Sequence, residues 1–225
     1  MLLPWNRALH VHMGGEAIET ALPGLLNDIA GDVKSRKDLH LVLADSHFHF
    51  DLVEGDYRST SDRHLQAIAS ACVAEVLGDA SADRLVRWQL QPDMRHMLIC
   101  AMLSQDVVLL EDGATRQRLN LRSLQTEFCT QWNAHSSLLP DSVGVFAVAS
   151  FGHAVVVVAQ GGSITALSAG TTPDGKALEE RVEQMLSSIG LDAEALKTFF
   201  LVQDRTATLA VTQRWVAIDA ARGTL

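Results

Sequence analysis

An α/β chain built as two related lobes, with mixed sheets covered by helices, is what this sequence predicts. Three observations predict it. Short runs of period-2 alternation recur along the whole length, interleaved with amphipathic stretches of helical period. The two halves echo each other, with strands joined by short glycine turns, then an amphipathic helix, then more strands. Hydrophobic residues make up 48% of the 225 residues and charged residues 20%, a balance that sustains a real core. Leu139-Pro140-Asp141 marks the boundary, giving lobes at 1–138 and 139–225.

The elements follow in order. Leu9–Met13 and Ala17–Leu22 read as two short strands around a Gly14-Gly15 turn. A short helix follows Pro23, through Leu25, Leu26, Ile29 and Val33. Leu39–Ala44 is a strand, Asp45-Ser46 a turn, and His47–Val53 a second strand. In that strand Phe48, Phe50 and Leu52 point one way and His47, His49 and Asp51 the other. Ser59-Thr60-Ser61-Asp62 offers helix caps to the stripe Leu65, Ile68, Ala69, Cys72, Val73, Val76 and Leu77, which Gly78 stops. Val86, Trp88 and Leu90 form a strand, Pro92-Asp93 turns it, and Met97–Leu103 returns buried. A helix is expected over Ser104–Asp112, a strand over Arg118–Arg122, and a helix over Leu124–Ala134 that packs Leu124, Phe128 and Trp132 inward.

The second half opens on a three-stranded meander, Val143–Ala149, Ala154–Ala159 and Ser163–Leu167. Its turns are at Phe151-Gly152-His153 and Gly161-Gly162. A helix over Gly175–Ile189 ends at Gly190. Strands are expected at Phe199–Val202 and Thr208–Thr212, with another at Trp215–Ile218.

Charge and cysteine usage narrow the function. The formal net charge of −9 disfavours a phosphate backbone as partner. The densest basic run, Lys34-Ser35-Arg36-Lys37, is flanked by Asp32 and Asp38 and reads as a solvated surface. The longest apolar run, Ala154–Ala159, is strand length and far below the ~20 residues of a membrane-spanning helix. Met1-Leu2-Leu3-Pro4-Trp5 lacks a basic flank and a sustained apolar core, so no signal peptide is expected. Cys72, Cys100 and Cys129 are odd in number and unpaired in spacing. They read as buried free thiols of a reducing compartment, which predicts a cytoplasmic location.

The sharpest chemical pattern is Asp45-Ser46-His47-Phe48-His49-Phe50-Asp51. Alternation puts His47 and His49 on one face, where both imidazoles reach one divalent ion, with Asp51 as a third ligand. That pattern implies a metal-dependent hydrolase. The plainer account is the wetter face of an edge strand. Only roughly 175 residues follow, where a (β/α)₈ barrel of that chemistry takes ~250. His10 and His12 make a second pair, which with the first forms a four-histidine patch if the strands adjoin. No Gly-x-Ser-x-Gly, GxGxxG or Walker A pattern occurs. Trp88 and Trp132 sit at core-like positions.

The strand–helix order, the run Leu39–Phe48, the helix ending at Gly78, Leu121–Gln125 with Trp132-Asn133, and the meander Val143–Gly170 together resemble a family. The chain is similar to the actin-like ATPases of ribonuclease-H-like fold. More narrowly, it resembles the PilM proteins of type IV pilus assembly and the cytoplasmic part of GspL of type II secretion. The resemblance implies a truncated actin-like scaffold.

It also implies two phosphate loops of the form Asp-x-Gly, on the hairpins Val11–Ile18 and Ser150–His153. Gly14, Gly15 and Gly152 are present. His12 and Ser150 stand where the carboxylates belong, and His153 follows the second glycine. Two carboxylates of that family hold a Mg²⁺ shell and orient the attacking water. Leu201-Val202-Gln203-Asp204-Arg205 stands in place of an adenosine-side Gly-Gly. The resemblance with these departures implies a non-catalytic scaffold with no ATP or Mg²⁺ cofactor. Its partners would be inner-membrane or cytoplasmic subunits of a pilus or secretion platform. It would bind no nucleic acid, insert into no membrane, and sit at the inner membrane only through a partner. A homodimer is compatible with it. A nucleotide binder with unusual loops around Gly14 and Gly152, and the metal hydrolase, are the alternatives.

Overall fold

The computed structural model describes residues 9–30, 37–192, 196, 199–203 and 215–219. Three sheets organise them. The first is parallel: β1 (Leu9–Met13), β2 (Lys37–Leu43) and β6 (Leu119–Thr126) run in the order β1-β2-β6. The odd-numbered residues Leu39, Leu41 and Leu43 of β2 pack under α1 (Ile18–Ala30) and α3 (Ser104–Arg116), against Leu22, Leu26, Leu110 and Ala114. The alternate residues His10, His12 and His40 lie on the opposite face and are exposed or half-buried.

Between β2 and β6 the chain inserts a second sheet. β3 (His49–Glu54), β4 (Arg84–Leu90) and β5 (His96–Leu103) are antiparallel in the order β3-β5-β4. Helix α2 (Asp62–Leu77) covers one face, with Leu65, Ala69 and Val73 buried against Met97, Ile99 and Ala101. Its amino end is capped by the Ser61 hydroxyl, and Gly78 at φ 57° ends it. Helix α4 (Glu127–His135) follows β6 directly, capped by Thr126.

The third sheet is the largest. β7 (Val143–Ser150), β8 (His153–Gln160) and β9 (Ser163–Thr171) form the expected meander, and β10 (Phe199–Gln203) and β11 (Trp215–Asp219) extend it in the order β11-β10-β7-β8-β9. Helix α5 (Gly175–Ser188) packs Leu178, Val182 and Leu186 on Val145, Ala147, Val156 and Val158. The other face carries Phe146, Val148, Val155 and Val157, which share a core with Phe50 and Leu98 of the inserted sheet and Phe128 of α4. A chain of rings, Phe50–Phe128–Trp132–Phe146, crosses this core with centroids 5.8, 6.2 and 5.6 Å apart. Trp132 is thus packing, as expected, and the two halves of the chain are joined by a common apolar layer.

Several expectations are corrected. Residues Ala17–Leu22 are not a strand: α1 starts at Ile18, with Pro23 inside it. Gly14-Gly15 is therefore a strand-to-helix connection and not a hairpin turn. Asp45-Ser46 does not join a hairpin either. Asp45–His47 forms a 3₁₀ turn that sends β2 and β3 into different sheets. Leu124 belongs to β6, which runs to Thr126, so the helix starts three residues later than expected. The strand–strand–strand–helix order holds in the second half, in β7-β8-β9-α5, but not in the first. Thr208–Thr212, Val33, Asp204 and Arg205 lie outside the described residues.

Candidate functional site

Parallel pairing aligns Met13, Leu43 and Thr126 across the first sheet, so the carboxyl ends of β1, β2 and β6 share one rim. In open α/β sheets that rim is where ligands bind. Here it carries Gly14-Gly15, the Asp45–His47 turn and the amino end of α4. The β7–β8 turn, Phe151-Gly152, reaches the same place from the third sheet. The structure therefore brings together the two glycine-bearing loops, Gly14-Gly15 and Ser150–His153, that are remote in sequence.

Phe151 makes the meeting. A β-carbon added to Gly14 would stand 3.0 Å from Phe151 Cε1, and one on Gly15 would stand 3.1 Å from Phe151 Cβ and 3.2 Å from Ser46 Oγ. The bare backbone of both glycines is what admits the ring. On the other side, His47 Nε2 donates to the Gly14 carbonyl at 2.9 Å, and the Ala44 amide donates to the Met13 carbonyl at 3.0 Å.

The expected positions fall out as follows. His12 lies on the open face of the first sheet, with Nδ1 3.3 Å from Glu127 Oε2. Ser150 is buried, and its hydroxyl has no hydrogen-bond partner among the described residues. Burial, and then the nearby Arg181 cation, lowers the pKa of His153 below the ordinary histidine value, and its Nδ1 is enclosed without a partner among the described residues. His47 and His49 do not share a strand face as alternation required, because His47 lies in the 3₁₀ turn and bonds Gly14. Burial depresses the basicity of His49, whose Nε2 is also enclosed. Asp51 turns back to its own strand, accepting from the Leu52 amide at 2.8 Å. Among the described residues no group of three His, Cys, Asp or Glu side chains is arranged to hold a metal ion. His10 stacks on His40 across β1 and β2, with ring centroids 4.9 Å apart, and His40 Nδ1 shares a 2.7 Å hydrogen bond with Ser123. A four-histidine patch is not formed.

Two carboxyl groups at the rim were not among the sequence candidates. Asp45 is 1% exposed, and its two oxygens accept from the Phe128 amide at 2.9 and 3.1 Å, at the amino end of α4. Burial, reinforced more weakly by the Glu127 charge, pushes its pKa up to about 7 against an ordinary 3.8. Glu127 accepts from Gln131 Nε2 at 2.8 Å through Oε1 and meets His12 through Oε2. The signal in sequence was a carboxylate closing an apolar strand and another following a threonine cap; the sequence reading places Asp45 in a turn and Glu127 inside the helix expected over Leu124–Ala134. Each of the four oxygens is committed to a protein partner. The three thiols are free, and burial raises all three above the ordinary cysteine range, so none is an activated nucleophile.

No protein-family model matches the chain, and no curated protein matches it. Solved structures do. A Bacteroides thetaiotaomicron protein of unknown function with an actin-like ATPase fold aligns with TM-score 0.53 at 8% identity, covering 82% of this chain and 68% of that one. The cytoplasmic domain of EpsL, an inner-membrane component of the Vibrio cholerae type II secretion system, aligns with TM-score 0.57 at 10% identity, over 96% of this chain and 93% of that one. PilM, in the PilM–PilN type IV pilus biogenesis complex, aligns with TM-score 0.58 at 14% identity, over 89% and 76%. These likenesses establish the fold, an actin-like fold in truncated form, as the residue pattern led us to expect.

Proposed function

We propose that this protein is a non-catalytic scaffold of a type IV pilus or type II secretion assembly platform, working on the cytoplasmic side by holding an extended segment of another platform subunit. The fold likeness to an EpsL cytoplasmic domain and to PilM in complex with PilN supports the setting. The observation that carries the holding role is a groove of about 520 Å³ along β6. Among the described residues β6 has no strand on its outer side. Consecutive β6 residues from Leu121 to Thr126 line one wall, and Leu85 and Arg87 of β4 with Met102 of β5 line the other. A free edge beside an apolar floor suits strand addition, in which backbone bonds give affinity and alternate side chains fill the floor. Arg87 at the wall suits an acidic residue on the incoming segment.

Two considerations support the absence of catalysis. The Ser150–His153 turn has no carboxylate to hold a magnesium shell, and the rim carboxyls Asp45 and Glu127 are engaged within the protein. We take the two lobes, 1–138 and 139–225, as one rigid support rather than as jaws around a nucleotide, and assign no ATP, Mg²⁺ or other metal to them.

The test is capture of a platform protein from the native host, identified by mass spectrometry, with wild type and Leu85→Glu compared. Leu85 lines the groove and belongs to none of the buried cores. Recovery of a pilus or secretion subunit by wild type, reduced at least tenfold by the variant, is expected. Equal recovery by both, or recovery of soluble metabolic enzymes alone, overturns the assignment. Calorimetry with Mg-ATP is expected to show no heat at micromolar concentrations, and binding there overturns the non-catalytic reading.

A further inference from the structure

Phe151 occupies a backbone position that an aromatic residue avoids. The pairing of Ser150 with His153 leaves Phe151 and Gly152 as the two central residues of the β7–β8 hairpin. Both have positive φ, 50° and 72°. That is the tight turn whose first position favours asparagine or glycine, because a β-carbon there crowds the backbone. Holding a non-glycine residue in that region costs of order 1 kcal/mol or more unless surrounding contacts compensate.

The compensating contact comes from the glycine loop of the first sheet. The ring lies against the bare backbone of Gly14, where a methyl would crowd Cε1 and Cζ, and a methyl on Gly15 would crowd the Phe151 β-carbon. The receiving loop is built in advance by the His47–Gly14 hydrogen bond and by the Ala44–Met13 bond at the ends of β1 and β2. Phe151 as a whole is still 51% exposed, so it is seated on the junction and not entombed in it.

We propose that Phe151 is an intramolecular latch. It fills the gap between the two glycine-bearing loops and holds the third sheet against the rim of the first in one arrangement, with no ligand required. The ring is thereby what keeps the Gly14-Gly15 loop and the Asp45–His47 turn closed at this junction.

The latch predicts a sign opposite to that of an ordinary turn. Phe151→Asn and Phe151→Gly both relieve the backbone, so at a simple hairpin they would leave the melting temperature unchanged or raise it. A latch predicts that both lower it, by several degrees. Amide hydrogen exchange at residues 14–16 and 45–48 is expected to rise about tenfold in both variants, while exchange in β8 stays as in wild type. Gly14→Ala is expected to destabilise wild type and to cost little in the Phe151→Asn background, because the crowding it creates is with the ring atoms Cε1 and Cζ. A melting temperature that holds or rises in Phe151→Asn, or a Gly14→Ala effect that is the same in both backgrounds, overturns the latch. These readouts involve neither a partner nor a nucleotide, so the latch stands or falls independently of the scaffold assignment.

Discussion

The first and third sheets of this protein are both crossed by parallel pairs, yet they solve burial differently. In the third sheet β7 and β8 are buried along nearly their whole length, because α5 covers one face and the shared aromatic core covers the other. Their sequences are accordingly continuous apolar runs, as in Ala154–Ala159. In the first sheet α1 and α3 cover one face only, and β1 alternates exposed histidine with apolar residues. A sheet covered twice provides rigidity. A sheet covered once keeps a polar face and, at β6, an edge with no further strand among the described residues.

The largest effect that would break this contrast is an acid placed in each sheet. Val156→Asp puts a charge at a fully buried position of the third sheet, with no partner, and is expected to abolish cooperative unfolding and soluble expression. Retention of a native-like melting transition would show that the face toward α5 is wetter than its packing implies. A subtler test concerns Asp45, the buried carboxyl at the end of β2. Its pKa is raised in the fold, so its neutral form supports the fold fully below about pH 4, and that support is lost as pH climbs toward 7. The stability of wild type relative to Asp45→Asn is therefore expected to fall across that window by on the order of 4 kcal/mol, read from urea melts at several pH values. A difference constant with pH would mean that the Phe128 amide holds the group as a carboxylate. The smallest effect is expected from His10→Asp on the open face of the first sheet. It costs at most the ring stack on His40, about 1 kcal/mol or less. A loss like that at Val156 would show that something covers this face.

What could be read from the sequence divides along the same line. The meander β7-β8-β9 and helix α2 were legible because their signals are local: apolar runs closed by glycine turns, and an apolar stripe between a serine cap and Gly78. Helix α1 was misread because Pro23 is compatible with a helix start and Ala17–Leu22 is short. The i, i+4, i+8 spacing of Ile18, Leu22 and Leu26, all buried, was the signal that it is helical from Ile18. The β2–β3 junction was misread as a hairpin because nothing local distinguishes a two-residue turn from a 3₁₀ turn that changes sheets. At the candidate site the glycines were visible, but their neighbours were not. The contact of Phe151 with Gly14 and Gly15 spans more than a hundred residues of chain, and the burial of Asp45 depends on where α4 lands. Such pairings leave no pattern in a single sequence.

The insertion of β3-α2-β4-β5 between β2 and β6 carries a kinetic consequence. β2 and β6 are hydrogen-bonded neighbours, but the whole inserted sheet separates them along the chain. Closing so long a loop is entropically slow when the intervening chain is unfolded, with roughly 0.6 kcal/mol added for each doubling of length. Once the insert folds, His49 pairs with Ala101, and the chain leaves the unit almost where it entered. The folded insert then acts as a clip that reduces the link between β2 and β6 to the single helical crossover α3. Folding is thus expected to be ordered, with the insert's amides protected before those of β2 and β6 in pulse-labelled refolding. A ribosome-bound chain released before Leu119 would already hold the template on which the parallel sheet closes.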